Sequence, residues 1–316
     1  MSDPRLREAA EAARDATLNA VWRQWRTLGA PLAGGASGPT RSIIDPEALV
    51  LLSLILRKDE RRLDDVLGWW AGFGATLLSV QRIATMAGAF PDSVREDLRE
   101  FAWTAAAAGD RRWGRLKAGG VSEGITHRGK GHQELRLGEE PALMLRLRAG
   151  FGVGVKADVL SILIGLGGAP LTVRTLAAAS SYTLVAVRAA AQEMVQAKII
   201  RSTSERPAIY SVDADGWLHL LFPKPHAPRD APLWRFSAQV FAFLAGVLEW
   251  ADGARDVRVS TYVHSSRARD LFEAHQAVFT YNQIAVPDTQ PYRGPEFLTV
   301  FQAIVERLSA WTRESL

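Results

Sequence analysis

The sequence of 316 residues predicts a mainly α fold: an N-terminal helical bundle, a central three-helix unit closed by a small β-hairpin, and a mostly helical C-terminal region. Three observations carry this. Apolar residues recur at three- and four-residue spacing through most of the first hundred positions and again near the end. Cap residues or Pro stand at the starts of several of these stretches. Alternation of the strand type is confined to short runs near 199–212 and 257–263.

Composition excludes several chemistries. The chain has no Cys, so it has no disulfide framework, thiolate zinc site, iron–sulfur cluster or Cys nucleophile. Hydrophobic residues make up 47%, enough for a sizeable core. At roughly 100–200 residues per domain, two or three domains are expected. The charged N-terminal segment is unlike a signal peptide. The longest apolar runs, Leu49–Leu56 and the stretch around 240–248, are shorter than the ~18 residues of a membrane span. These features predict a cytoplasmic chain without membrane contact. The net charge of +4 is uneven: residues 1–108 carry −1, 109–150 carry +4, 151–213 carry +2 and 214–316 carry −1. A basic middle is the footprint of phosphate-backbone binding, or equally a solvated surface.

Along residues 4–28, Leu18, Val21, Trp22 and Trp25 form one helical stripe, and 29–42 is a Gly/Pro/Ser loop. Asp45-Pro46 reads as an N-cap with Pro at the first helical position. The helix that follows, Glu47–Arg57, is apolar nearly all round and so predicted to be buried. Helices are also expected near 61–73, 76–88 and 92–108, the last with Leu98, Phe101, Ala102 and Ala105 on one face. This makes 1–108 a helical domain. Periodicity then stops, and 109–150 reads as a basic, Gly-rich linker.

Residues 151–222 carry the strongest signal. A helix at Lys156–Leu166 shows Val159, Ile162, Leu163 and Leu166 on one face and ends at Gly167-Gly168. Thr172 caps a second helix whose Val173, Leu176 and Ala177 face inward. Ser180-Ser181-Tyr182 is a turn, and Thr183 caps a third helix running to Ala197, with Val187, Ala190, Ala191, Met194 and Val195 as its inner positions. A strand is expected at Lys198–Ile200, a hairpin loop at Arg201–Pro207 and a return strand at Ala208–Val212. This is the order of a winged helix-turn-helix.

The stretch LTVRTLAAASSYTLVAVRAAAQEMVQAKII with RSTSERPAIYSV resembles winged-helix transcriptional regulators of the MarR and ArsR kind over about sixty residues. The resemblance implies that the third helix enters a DNA major groove and that the hairpin and helix N-termini hold phosphates. It places Tyr182, Thr183, Ala186, Arg188, Ala189 and Gln192 toward the groove. Ser180 and Ser181 then become phosphate contacts in the turn, with Arg201 and Arg206 in the wing and Arg174 on the second helix. The third helix is poor in base-reading side chains, only Arg188 and Gln192 being well suited. That leaves open a second role, in which the same unit docks a protein.

The remaining constellations are weaker. Gly124–Lys130 matches GxxxxGK but is followed by Gly131 in place of Ser or Thr, with no preceding strand, and reads as a chance match. His127 and His132 lie among cations, which disfavours a metal. Gly150–Gly154 looks like a hinge. Trp113, among Arg111, Arg112 and Arg115, either stacks on bases or anchors the loop. From 223 onward a Pro-rich linker precedes a helix near 234–250, a strand at Val257–Val263, and helices at Ser265–Gln276 and Pro295–Arg313. The last has Phe297, Val300, Phe301, Ile304, Val305 and Leu308 on one side, suited to packing or dimerisation. In the cluster His264, Ser265, Ser266, Arg267, Arg269 and Asp270, helix capping by Ser265 or Ser266 is the favoured role, with an anion site as the other.

No nucleophile, metal or nucleotide motif survives, so the chain is expected to be non-enzymatic and to need no cofactor. The expected partners are double-stranded DNA and a second copy of the chain, the dimer reading two half-sites. The expected function is transcription regulation by DNA binding. The alternative is a helical adaptor or complex subunit with a protein partner.

Overall fold

The first helix, α1 (Pro4–Thr27), begins where Asp3 accepts a hydrogen bond from the Arg5 amide and Pro takes the first position. Its buried side is mostly small, with Ala9, Ala13, Ala16 and Ala20 between Leu6 and Trp25. In this computed structural model, which describes residues 3–30, 40–116, 125, 134–204, 206–222, 231–254 and 259–316, those alanines let the last helix lie close alongside. Gly124 and residues 126–131 of the GxxxxGK match, His127 among them, His132 and most of the Pro-rich linker lie outside the described residues.

The next helix, α2 (Pro46–Leu56), is capped by Asp45 and buried at every position, as its all-round apolar sequence predicts. Around it stand α3 (Arg62–Phe73), α4 (Val80–Met86) and α5 (Ser93–Ala107). Trp25, Trp69 and Trp70 form an edge-packed cluster, with ring centroids 5.1–6.4 Å apart, and the Trp25 indole N–H donates to Ser53 Oγ at 2.9 Å.

The expected linker at 109–150 contains structure at both ends. Trp113 sits in a short 3-10 turn, fully buried against Phe101 at 5.2 Å, so it anchors the segment and is not offered to bases. Leu143–Phe151 is a helix, α6, that buries Leu143, Met144, Leu145 and Leu147. The basic residues around it hid that short apolar stripe. Gly152 (φ 85°) and Gly154 (φ 156°), in the segment read as a hinge, turn the chain from α6 toward the next helix.

The central unit comprises α7 (Val155–Gly165), α8 (Val173–Ser180) and α9 (Leu184–Gln196), with strands β1 (Leu171–Thr172), β2 (Arg201–Ser202) and β3 (Ile209–Ser211). The sheet is antiparallel in the order β1-β3-β2, pairing Leu171 with Tyr210 and Arg201 with Ser211. The expected strand at 198–200 begins only at Arg201, because Lys198 turns with φ 59°. Gly168 (φ 74°) leads α7 into β1 and lies against the Val212 carbonyl, where a Cβ would collide.

A further helix, α10 (Ala214–Leu221), follows, then α11 (Ser237–Gly253), α12 (Thr261–Ala274), α13 (Ala277–Tyr281) and α14 (Phe297–Ser315). The strand expected at 257–263 is corrected: residues 261–263 open α12, capped by Ser260, whose Oγ accepts from the Val263 amide. Ser265 therefore lies inside the helix, where its hydroxyl donates to the Gly294 carbonyl, and neither it nor Ser266 is the cap. The apolar side of α14, read as a possible dimer face, is buried within the chain against α1, α11 and α12.

Two hydrophobic cores result. One joins α1–α5 to α11–α14; the other fills the central unit and includes α6, Ile43, Trp234 and Phe236. The main chain at 41–43 pairs with Leu233, and the Trp234 amide donates to the Gly165 carbonyl at 2.7 Å, so the segments that lead into α2 and α11 are held beside the end of α7. No helix among the described residues is long and apolar enough to cross a membrane.

Gly74 faces the indole of Trp70 so closely that an added methyl would overlap it. Gly74→Ala is expected to displace the tryptophan cluster and cost about 1–3 kcal/mol, read as a lower midpoint in chemical denaturation.

Candidate nucleic-acid interface

Helix α9 is held by its inner side. Val187, Ala190, Ala191 and Met194 are buried against α7 and α8, and Thr183 accepts from the Ala186 amide at 3.2 Å to cap its start. The opposite side is open: Thr183, Leu184, Val185, Arg188, Ala189, Gln192 and Glu193 are exposed. Leu184 (47%) and Val185 (74%) are unusually exposed for aliphatic side chains. Ala186 lies half-buried at the edge.

Arg174 on α8, Arg201 on β2 and Arg206 in the hairpin are exposed, as is Arg188. None of these four forms an ion pair among the described residues. Glu193 on α9 is taken up by Lys156 at 2.5 Å. The hairpin closes through the Thr203 amide donating to the Ile209 carbonyl at 3.0 Å. Nine of the eleven expected contact residues thus stay on or beside an accessible surface: Arg174, Ser181, Thr183, Ala186, Arg188, Ala189, Gln192, Arg201 and Arg206. Ser181, half-buried with φ 57°, makes the turn between α8 and α9.

Two expectations are corrected. Ser180 is fully buried and its hydroxyl donates to the Leu176 carbonyl, so it offers nothing to a phosphate. Tyr182 turns inward and donates to Asp158 Oδ2 at 2.9 Å. Both belong to a buried ionic node that sequence reasoning missed.

That node contains Asp45, Glu47, Arg82, Arg148 and Asp158, each at most 1% exposed. All five N–H bonds of the Arg148 guanidinium find acceptors: Asp158 at 2.6 and 2.7 Å, Glu47 at 2.6 and 3.0 Å, and the Leu77 carbonyl at 2.9 Å. Arg82 makes a bidentate pair with Asp45 at 2.6 and 2.7 Å and reaches Glu47 at 2.5 Å. Its Nε donates to the Ser180 carbonyl at 2.7 Å, in the turn that precedes α9. The Ser79 amide completes Glu47. The node therefore joins α2 and α4 of the larger core to α6, α7 and the α8–α9 turn.

The electrostatics follow from this geometry. Burial opposes the charge on Glu47, but Arg148 and Arg82 outweigh it and hold the carboxyl below its ordinary value. Burial, with Asp158 beside it, raises the Tyr182 phenol, which stays a hydrogen-bond donor. A sequence signal was present: Glu47 and Asp158 are the lone charges of the apolar helices α2 and, after Lys156, α7. A charge on a buried face requires a partner.

Among the described residues no group of three or more His, Asp or Glu side chains is placed to hold a metal ion. The exposed side chains of the site offer hydrogen bonds and positive charge.

Removing one partner of a buried pair strands the other charge. Arg148→Met is expected to cost about 3–5 kcal/mol in urea unfolding. Because Glu47 is held below its ordinary 4.5, its contribution is complete above that pH and is lost as pH falls through the folded value. Acid unfolding of the intact chain should show this loss below about pH 4.5, and Glu47→Gln should make the transition shallower.

No protein-family model, curated protein or solved structure matches this chain.

Proposed function

We propose that the chain is a DNA-binding transcriptional regulator that reads duplex DNA with a winged helix-turn-helix made of α7–α9 and the β2–β3 hairpin. One observation carries the reading: α9 is fixed by its inner face while its outer face and capped N-terminus stand open, and Arg174, Arg188, Arg201 and Arg206 are exposed without an ion pair among the described residues. The helix order, the three-stranded sheet and the hairpin following α9 agree with the resemblance read from the sequence.

In this reading Arg174, Arg201 and Arg206 contact phosphates, and the turn at Ser181 follows the backbone. Arg188 and Gln192 reach base edges, Arg preferring guanine and Gln adenine. Exposed Leu184 and Val185 suit thymine methyls. Tyr182 and Ser180 act from behind, holding the α8–α9 turn.

The second reading is a protein-docking adaptor, favoured by the same Leu184 and Val185, whose exposure is that of anchors awaiting an apolar partner. Two copies on two half-sites belong to the DNA reading alone.

Fluorescence anisotropy with pooled genomic duplexes at low salt tests the first reading. Binding is expected, with affinity falling steeply as salt rises. Arg201→Ala with Arg206→Ala should lower the salt slope by roughly 2 and weaken all sequences alike. Arg188→Ala should cost about 1–3 kcal/mol and relax the preference at one base pair. Absence of any DNA binding, together with a stoichiometric protein partner lost on Val185→Asp, would select the adaptor.

A further inference from the structure

Between the turn at Ala89, Phe90 and Pro91 that precedes α5, helix α11 and helix α12 lies a cleft of about 240 Å³. Phe90, Pro91, Trp250 and Leu271 give it apolar walls. Phe90 and Trp250 are themselves nearly buried, so the walls are fixed. The space exists because α11 presents Ala242 and Gly246 on this side; a Cβ on Gly246 would press on Leu271.

Two opposite charges line the same cleft, Glu249 from α11 and Arg267 from α12. Both are exposed, and neither forms an ion pair with the other or with any other described residue. Opposite charges that line one cleft without pairing are each left to meet a ligand. A ligand carrying both signs on substituents of one carbon answers both, and an apolar group on that carbon suits the Trp250–Leu271 wall. His275, the remaining titratable group of the lining, has its ring edge-on to Phe243 at 5.8 Å.

Helix α11 also touches the central unit. In its first turn the Gln239 side-chain amide donates to the Ala178 carbonyl of α8 at 3.0 Å, one face-turn before Ala242. Cleft and α8 are thus joined by a single rigid helix.

We propose that this cleft binds a free α-amino acid with an apolar side chain, carboxylate toward Arg267 and ammonium toward Glu249. Its occupancy biases the placement of α8 and α9 through α11. The second statement rests on the DNA reading; the first does not.

The test is calorimetric titration of the full chain with L-phenylalanine and L-leucine, against 3-phenylpropionate and phenethylamine, which each lack one charge. The amino acids should bind, and both analogues should bind at least about tenfold more weakly. Arg267→Ala should abolish the preference for phenylalanine over phenethylamine, and Glu249→Gln that over 3-phenylpropionate. Both side chains are exposed, so circular dichroism should be unchanged. No heat from either amino acid, or affinities indifferent to both substitutions, overturns the proposal. Binding of 3-phenylpropionate as tight as that of phenylalanine overturns the zwitterion in favour of a plain carboxylate. L-Phenylalanine should also shift the DNA-binding midpoint, and Gln239→Leu should remove the shift while keeping the heat. Heat with DNA binding but no shift overturns the coupling. Heat without any DNA binding supports the cleft and defeats the DNA reading instead.

Discussion

Five ionised side chains meet without solvent where the two cores touch, and the orientation of α9 depends on how they are arranged. Three carboxylates surround two guanidiniums, so no single pair is self-sufficient: Glu47 is shared by both arginines, and Arg148 is shared by Glu47 and Asp158. Taking such charges out of water costs several kcal/mol per ion, and a well-packed apolar replacement is often as stable. What an apolar patch lacks is direction. Guanidinium and carboxylate planes have to be presented to one another at fixed angles, and that requirement fixes α2, α4, α6, α7 and the α8–α9 turn together.

The node ends at the turn, not at α9 itself. Arg82 takes the Ser180 carbonyl and Asp158 takes the Tyr182 hydroxyl, on either side of the left-handed Ser181. Two charge-assisted bonds thereby clamp the three residues that set the direction of α9, while the helix keeps its outer face clear. The main-chain pairing of 41–43 with Leu233 and the close approach of Gly165 to Trp234 act at the other end of α7. With the Gln239–Ala178 bond, the central unit is thus held at three points of its framework, leaving the third helix and hairpin as the parts that project.

Much of this was legible in the residues. The caps at Asp45, Thr172 and Thr183, the all-buried α2, and the inner positions of α9 follow from local rules of spacing and hydrogen bonding, which the structure keeps. Two helices were not legible: α6 is embedded in basic sequence, and α10 abuts the Pro-rich linker. Residues 261–263, the end of the β-branched run, are helical because Ser260 caps them and His264, Ser265 and Ala268 find a buried side. Tyr182 and Ser180 show the deeper limit. A polar side chain in a turn has no local rule for pointing outward or inward. Here the decision is made by Asp158, twenty-four positions earlier, and by Arg82, ninety-eight positions away from Ser180.

That inward turn changes how specificity would be distributed on the proposed DNA surface. With Tyr182 and Ser180 removed from contact, base discrimination falls on Arg188 and Gln192, with methyl contacts from Leu184 and Val185. Two hydrogen-bonding side chains distinguish only a few base pairs. On that proposal affinity would come mainly from Arg174, Arg201 and Arg206 on phosphates, which carries no sequence information. A single unit of this design would bind broadly, and selectivity would have to come from doubling the site or from adjusting the angle at which α9 meets the groove. The chain has no apolar face left on α14 for the first, since that face is buried against α1, α11 and α12. The second is set by the clamp at Ser180–Tyr182 and by the Gln239–Ala178 contact, so the residues that matter for selectivity extend well behind the surface that would touch DNA.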